Sequence, residues 1–362
     1  MKHALRKFSL VALPVVGILL AAPAAHAQQA VGDVIKAGKE DANKLIRAYI
    51  EPGGKAVGHG LNGNWFNSGK AMELGKFDVR VFATGVFTPE EQTSFDISKL
   101  ELKKIRLASG ESSIAPTVFG GKEEGPEMVV YGRNPLTNRE EELTRFNTPG
   151  GIGFKNLPVP MVQASFGLVL DTEVAVRFFP KTTYEEYSAN LWGVGLKHGL
   201  KQYLPGISAI PGFDIAALGG YTYFETTADL DLAPDPAASR TAQQQQAGYY
   251  DNQQLVFTTK AWTASLIASK NLKVLTVYGG VKYSHVTTDV NVNGRYPVTS
   301  FQVTPPNRYI EDVVDPVMVN VEDSQYGLVG GLRLKLLIFS LYAEGTMAKY
   351  PSATAGLGIG FN

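Results

Sequence analysis

From residue 76 the chain begins to alternate. Phe77, Val79, Val81, Ala83, Gly85 and Phe87 fall on one side, and Asp78, Arg80, Phe82 and Thr84 on the other. The same period returns further on. Val174, Val176 and Phe178 oppose Glu173, Ala175 and Arg177; Trp192, Val194 and Leu196 oppose Gly193, Gly195 and Lys197. Leu275, Val277, Val281 and Tyr283 oppose Thr276, Tyr278, Lys282 and Ser284, and Tyr326, Leu328 and Leu332 oppose Gln325, Val329 and Arg333. The chain ends on Leu357, Ile359 and Phe361 against Gly356, Gly358 and Gly360. A period of two marks strands with one apolar face. Ten segments carry it: 76–88, 161–170, 173–180, 190–197, 213–228, 255–268, 272–290, 321–335, 338–349 and 352–361.

The second face of these strands is thin, made of glycine, small hydroxyls and an occasional charge. That composition suits a confined interior where side chains from opposing walls share space. Connection lengths sharpen the picture. Long connections at 89–160, 181–189, 229–254 and 291–320 alternate with short ones at 171–172, 269–271 and 336–337, and only 198–212 and 350–351 depart from the rule. Short turns at one end and long loops at the other are the habit of outer-membrane barrels. The expected fold is therefore all-β: a transmembrane antiparallel β-barrel of about 10–14 strands, at 76–362, with a short N-terminal helix. Residues 89–160 exceed a plain loop and leave room for two further strands or an inward plug. Residues 230–254 hold a glutamine run at 243–246 and read as a solvated external loop.

Ahead of the barrel, residues 1–27 carry Lys2, Arg6 and Lys7, an apolar run broken by Pro14, and Ala25-His-Ala27, the order of a Sec signal peptide. Residues 28–75 are a helical and glycine-rich lead-in or plug. The helix is expected at 33–50, stopped by Glu51-Pro-Gly-Gly54 and packed against the periplasmic base, with lumen plugging as the alternative. A second short helix is expected at 198–205. The stretch Gly60-Leu-Asn-Gly-Asn-Trp-Phe-Asn-Ser-Gly-Lys-Ala71 is no phosphate loop. Five residues separate Gly63 from Gly69, and Ala71 stands where a hydroxyl is needed. Trp65 and Phe66 are expected at the membrane interface, together with Trp192, Tyr283, Tyr326 and Phe361.

Charge and composition exclude several classes. The 34 basic residues balance the 34 acidic ones, and without the leader 31 face 34, so nothing draws nucleic acid. Cysteine is absent, which removes disulfides, thiolate metal sites and a lipoprotein anchor. No metal-binding spacing and no cofactor motif occurs. Of the histidines past the leader, His59 stands among glycines, His198 opens the expected second helix, and His285 shares a strand with Ser284 and Asp289. Neighbours on a strand point to opposite faces, so Ser284 and His285 do not meet there. No catalytic set is expected. Glu140, Glu141 and Glu142 read as a solvated run. Arg80, Glu173, Arg177, Lys197, Lys282, Arg333, Lys335 and Glu344 fall on the lumen side, where they either tie opposing walls or set pore selectivity. A ten-strand interior is narrow, which favours the tied, plugged arrangement.

Three stretches carry a resemblance: Trp65-Phe-Asn-Ser-Gly-Lys70, Thr117-Val-Phe-Gly120 and Trp192-Gly-Val-Gly-Leu-Lys-His198. With them the chain resembles an uncharacterised family of outer-membrane barrels, a domain of unknown function. In that family a GWFNSGKA-like approach precedes the first strand and a GxGxKHxLKQWLP-like stretch sits at mid-chain, here with Tyr203 in the tryptophan position. More distantly it resembles hydrophobic-solute channels of the long-chain fatty-acid transporter type, which have an N-terminal plug. The resemblance implies location and architecture. The expectation is a non-enzymatic barrel in the bacterial outer membrane that passes or binds a small or hydrophobic solute. Its partners would be outer-membrane lipid and the barrel-assembly machinery. The alternatives are an outer-membrane enzyme acting on lipid or peptide and a surface structural or adhesion barrel.

Overall fold

The computed structural model describes residues 34–35, 38–133, 137–184, 186–301 and 308–361. The expected signal peptide at 1–27 lies outside them. A helix α1 (Lys39–Leu61) is followed by β1 (Phe77–Phe87), then by five short strands: β2 (Ser94–Asp96), β3 (Ile105–Leu107), β4 (Ile114–Pro116), β5 (Glu127–Arg133) and β6 (Glu140–Asn147). Next come β7 (Asn156–Gly167), β8 (Thr172–Tyr184), β9 (Tyr187–Gly199), a short α2 (Pro205–Ser208), β10 (Phe213–Leu230), β11 (Gln253–Leu272) and β12 (Leu275–Asn293). A hairpin of β13 (Arg295–Phe301) and β14 (Arg308–Val314) precedes β15 (Val317–Leu336), β16 (Phe339–Met347) and β17 (Ser352–Phe361). Ten strands close a barrel in the order β1-β17-β16-β15-β12-β11-β10-β9-β8-β7, every neighbour antiparallel. They are the ten segments whose alternation the sequence displays.

Residues 89–160 do something else. Up to the start of β7 at Asn156, the described residues add no strand to the barrel, and the segment reaches the interior only through Val118, Phe119 and Ile152. Instead β2 pairs with β4, and β3, β5 and β6 form a small sheet, so the segment builds a head at the long-loop end. Its core of Ile97, Ile105, Ala115, Met128, Val130 and Phe146 also takes in Val34, Ala42 and Leu45 of the helical region. The connection expected at 181–189 shortens, because β8 runs to Tyr184 and β9 starts at Tyr187. The helix expected at 198–205 is replaced by the end of β9, a 3-10 turn at Lys201–Tyr203 and α2.

The wall changes character along its height. On β12 the inward residues of the lower half are Thr276, Tyr278, Lys282 and Ser284, and those of the upper half include Val286, Val290 and Val292. Outward, Val277 and Val281 below give way to Thr287, Asp289 and Asn291 above. Strand β15 repeats the exchange: Leu328 and Leu332 face out below, Asn320 and Glu322 above, while Val317, Val319 and Val321 turn inward above and Arg333 below. The two regimes meet at a row of outward rings. Trp192 touches Tyr221 and Tyr223 at centroid distances of 5.5 and 5.8 Å; Trp262 touches Tyr283 at 5.1 Å, and Tyr283 touches Tyr326 at 5.0 Å. At the lower rim Phe77 meets Phe361 at 5.6 Å. From Tyr326 to Leu336 β15 covers a band about 25 Å tall, allowing about 3.3 Å per residue and the usual tilt.

Candidate functional site

The lumen is filled by the chain's own amino-terminal region. The expected helix stop at residues 51–54 fails. Helix α1 runs through Pro52, Gly53 and Gly54 to Leu61, a length of about 35 Å at 1.5 Å per residue. It lies inside the barrel and not at its base. Its glycines are what let a helix pass so close to the wall. A Cβ on Gly58 would sit 1.9 Å from Val286 Cγ1, and one on Gly60 2.6 Å from Val159 Cγ2. At Gly58 and Gly60 the close approach leaves room for no side chain. Above, α1 packs among Val290, Val292, Val319 and Val321 through Ile46 and Ile50. In the turn at Thr117–Gly120 the Val118 N–H donates to Tyr49 O at 3.0 Å and so docks the head on α1.

Below α1 residues 62–74 descend through the lower lumen. Trp65 and Phe66 are only 2% and 4% exposed, so neither reaches a membrane interface. The reason is a seat prepared for Trp65. A Cβ on Gly195 or Gly220 would come within 2.5 or 2.4 Å of the indole, so the ring lies on a stretch of wall paved with glycine. Arg177 covers its other face, with the guanidinium carbon 3.6 Å from the ring centroid. The same Arg177 donates to Leu61 O at 2.6 Å, Gly63 O at 2.7 Å and Gln163 Oε1 at 3.0 Å.

The remaining inward charges address this segment as well. Arg80 donates to Trp65 O at 2.8 Å and pairs with Asp78 at 3.1 Å. Glu344 accepts from Asn64 at 3.0 Å and from Tyr278 at 3.0 Å, and Lys282 donates to Asn62 O at 2.6 Å. Lys197 pairs with Glu173 at 2.7 Å and donates to Lys70 O at 2.9 Å, while Glu173 accepts the Met72 N–H at 3.1 Å. Arg333 donates to Asn67 Oδ1 at 3.3 Å, and Lys335 lines the lower mouth with it. That mouth encloses about 220 Å³. These bonds go chiefly to backbone carbonyls and amides of the plug, which satisfies polar groups that burial would otherwise leave unpaired.

His59 has partners that its sequence neighbourhood concealed. Nε2 lies 2.8 Å from Asp323 Oδ2 and Nδ1 lies 3.1 Å from Ser284 Oγ, with Tyr350 stacked on the ring at 5.4 Å. Ser284 thus meets a histidine, but one from α1 and not its neighbour His285. His285 faces outward, 2.8 Å from Ser324 Oγ. His198 ends β9 between Thr172 Oγ1 at 2.9 Å and Tyr203 OH at 3.1 Å. Of the outward aromatics, Trp192 and Tyr326 stand in the upper ring row and are 45% and 81% exposed; Tyr283 lies between Trp262 and Tyr326, and Phe361 is at the lower rim.

One place in the wall is different. Strands β7 and β8 pair only from Gln163↔Arg177 to Gly167↔Glu173, five positions at the lower end. Continuing that register would set Val162 opposite Phe178 and Pro160 opposite Pro180, yet the ladder ends before them. Prolines carry no N–H for a ladder. A register shift between Phe179 and Thr182 interrupts the β8–β9 ladder in the same region. Behind the parted strands the lumen side is apolar, with Leu157, Val159 and Met161 buried against Val57 and Leu61 of α1.

Residues 1–361 match a Family of unknown function (DUF6588). No curated protein matches the sequence. Among solved structures, the outer membrane protease OmpT of Escherichia coli is similar at 10% identity and a TM-score of 0.31, covering 81% of this chain and 100% of its own. The translocator domain of the autotransporter NalP of Neisseria meningitidis is similar at 9% identity and a TM-score of 0.28, covering 85% and 93%. The TodX monoaromatic hydrocarbon channel follows at 9% identity and a TM-score of 0.23, covering 80% and 67%. Scores this low carry no argument about the role of this chain.

Proposed function

We propose, for a chain that belongs to the DUF6588 family of unknown function, a bacterial outer-membrane barrel that takes an apolar solute sideways from the membrane. Lipid covers the lower wall between the two aromatic rows, where Val79, Val194, Leu266, Leu328 and Ile359 are exposed side by side. The short turns then face the periplasm and the head faces outward. Helix α1 and residues 62–74 occupy the lumen, which favours a sideways route over an axial one.

The observation that carries the solute reading is the parted wall between β7 and β8. The edge opens at the aromatic row, where Phe178 stands opposite Trp192, and any part of it that meets hydrocarbon is costly, because backbone groups there have no water to bond. Here the edge is tempered by Pro158, Pro160 and Pro180 and backed by apolar residues, an arrangement that suits a single acyl chain or similar apolar solute. The test closes the gap. Val162→Cys with Phe178→Cys in a chain without native cysteine should form a disulfide that locks the strands. Binding of a fluorescent acyl probe by the refolded protein should be lost on oxidation and restored by reductant. Equal binding in both states contradicts the reading.

A hydrolytic reading has one observation in its favour, the Ser284–His59–Asp323 chain. Access weighs against it: the His59 side chain is 1% exposed, and Ser284 Oγ already accepts from Asn62 Nδ2 at 2.6 Å. The group reads better as a polar tie between α1 and the wall.

A further inference from the structure

The direction in which the chain occupies its own barrel has a consequence for topology. The amino end of α1 is fastened to the long-loop end. Lys39 Nζ donates to Val314 O at 2.7 Å, at the end of β14, and Asn43 Oδ1 accepts the Met318 N–H at 2.8 Å, at the top of β15. On its other side Asp41 accepts backbone N–H groups of Lys103, Lys104 and Ile105 in the head at 2.9, 2.7 and 3.1 Å. Asp41 is 2% exposed, so this is a built anchor and not a surface contact. Val34 and Ile35, ahead of α1, are already buried in the clusters of the head and upper barrel.

The other end of the plug is as firmly placed. His59 and Asn62 reach Ser284 at mid-height, and Gly69 N–H donates to Ser269 Oγ at 2.9 Å lower down. Gly75 N–H donates to Gly167 O at 3.3 Å beside the short turn at 168–171, and β1 starts upward from there. The polypeptide therefore runs the full height of the lumen from the head end to the short-turn end before it enters the wall.

We propose that the protein presents its amino-terminal end at the cell surface and threads its own barrel from outside to periplasm. The barrel then has a second role, as the conduit that holds the segment ahead of β1 across the membrane. This rests on the membrane orientation given above. Both ends of the plug are tied by side chains buried in the wall or head, so the threaded state is the resting state. In contrast to a plug inserted from the periplasm, the amino end of α1 is displayed outward.

Single cysteines in the cysteine-free chain test this in whole cells with a membrane-impermeant maleimide. Lys39→Cys reports the amino end of α1, Glu111→Cys the head and Ser208→Cys the connection holding α2; all three positions are exposed. The expected result is labelling of Lys39→Cys and Glu111→Cys in intact cells, and of Ser208→Cys only after the outer membrane is permeabilised. Labelling of Glu111→Cys with Lys39→Cys reached only after permeabilisation overturns the threading and leaves the orientation intact. Labelling of Ser208→Cys alone in intact cells reverses the orientation and overturns both. Denatured samples, in which all three react, control for intrinsic reactivity.

Discussion

The lower and upper halves of this barrel are built with opposite polarity. Below the aromatic row the wall is apolar outside and charged inside; above it the wall is polar outside and encloses a valine-rich core around α1. In the upper half ordinary hydrophobic burial holds helix and wall together. In the lower half the outer surface gains nothing from burial within the protein, and the interior is held by charge-assisted hydrogen bonds to the backbone of the plug. One continuous sheet thus serves two solvents, and the plug changes from helix to irregular chain near where the solvent changes.

The largest effect should come from the lower plug. Arg177 is fully buried and bonds two plug carbonyls. Arg177→Ala should cost about 3–5 kcal/mol, because it leaves those carbonyls unpaired and uncovers Trp65. Urea unfolding followed by tryptophan emission would measure it, and a loss near zero would mean that the network holds nothing. Next comes the outer face. Leu332→Arg, in the apolar band, should cost about 2–4 kcal/mol in a bilayer, whereas Asn320→Arg on the same strand should stay within about 0.5 kcal/mol. Equal costs at the two sites would erase the distinction between the halves.

Much of this was legible in the alternation of the sequence. All ten barrel strands appear there because each carries an apolar outer face through the lower half. What alternation does not carry is partnership with the lumen. Glycines at 193 and 195 look like a thin polar face, but they are the floor under Trp65. Likewise Pro52-Gly-Gly54 looks like a helix end, and the surrounding wall overrides that local preference. Strand β7 begins at Asn156, earlier than expected, because Pro158 and Pro160 sit where β8 no longer pairs and a ladder N–H is not needed. His59 acquires Asp323 and Ser284 from more than two hundred residues away, and no local spacing announces such a set.

Within the upper half, Gly58→Ala should lose about 1–3 kcal/mol by overpacking against Val286. Adding Val286→Ala should recover part of the loss, and a strictly additive double-mutant cycle would contradict the contact. The smallest effect lies in the external loops. Burial alone would raise the pKa of Asp312, but hydrogen bonds from Tyr249, Tyr250 and Gln244, with Arg295 nearby, outweigh it and hold the carboxyl below its ordinary value. A depressed folded pKa stabilises the clasp above the ordinary carboxylate range, and that contribution is lost as pH falls through the folded value. Proteolytic nicking within residues 231–252 should therefore rise only below about pH 4. In Asp312→Asn that rise should vanish.

The most direct test of the two-solvent wall is a scan of spin labels along the outward positions of β15 in a bilayer, at Met318, Asn320, Glu322, Ser324, Tyr326, Leu328, Leu332 and Leu336. Relaxation by oxygen should dominate from Tyr326 to Leu336, and relaxation by a water-soluble nickel complex from Ser324 to Met318, with the crossover at the aromatic row. Uniform access of the nickel complex along the whole strand would contradict the account.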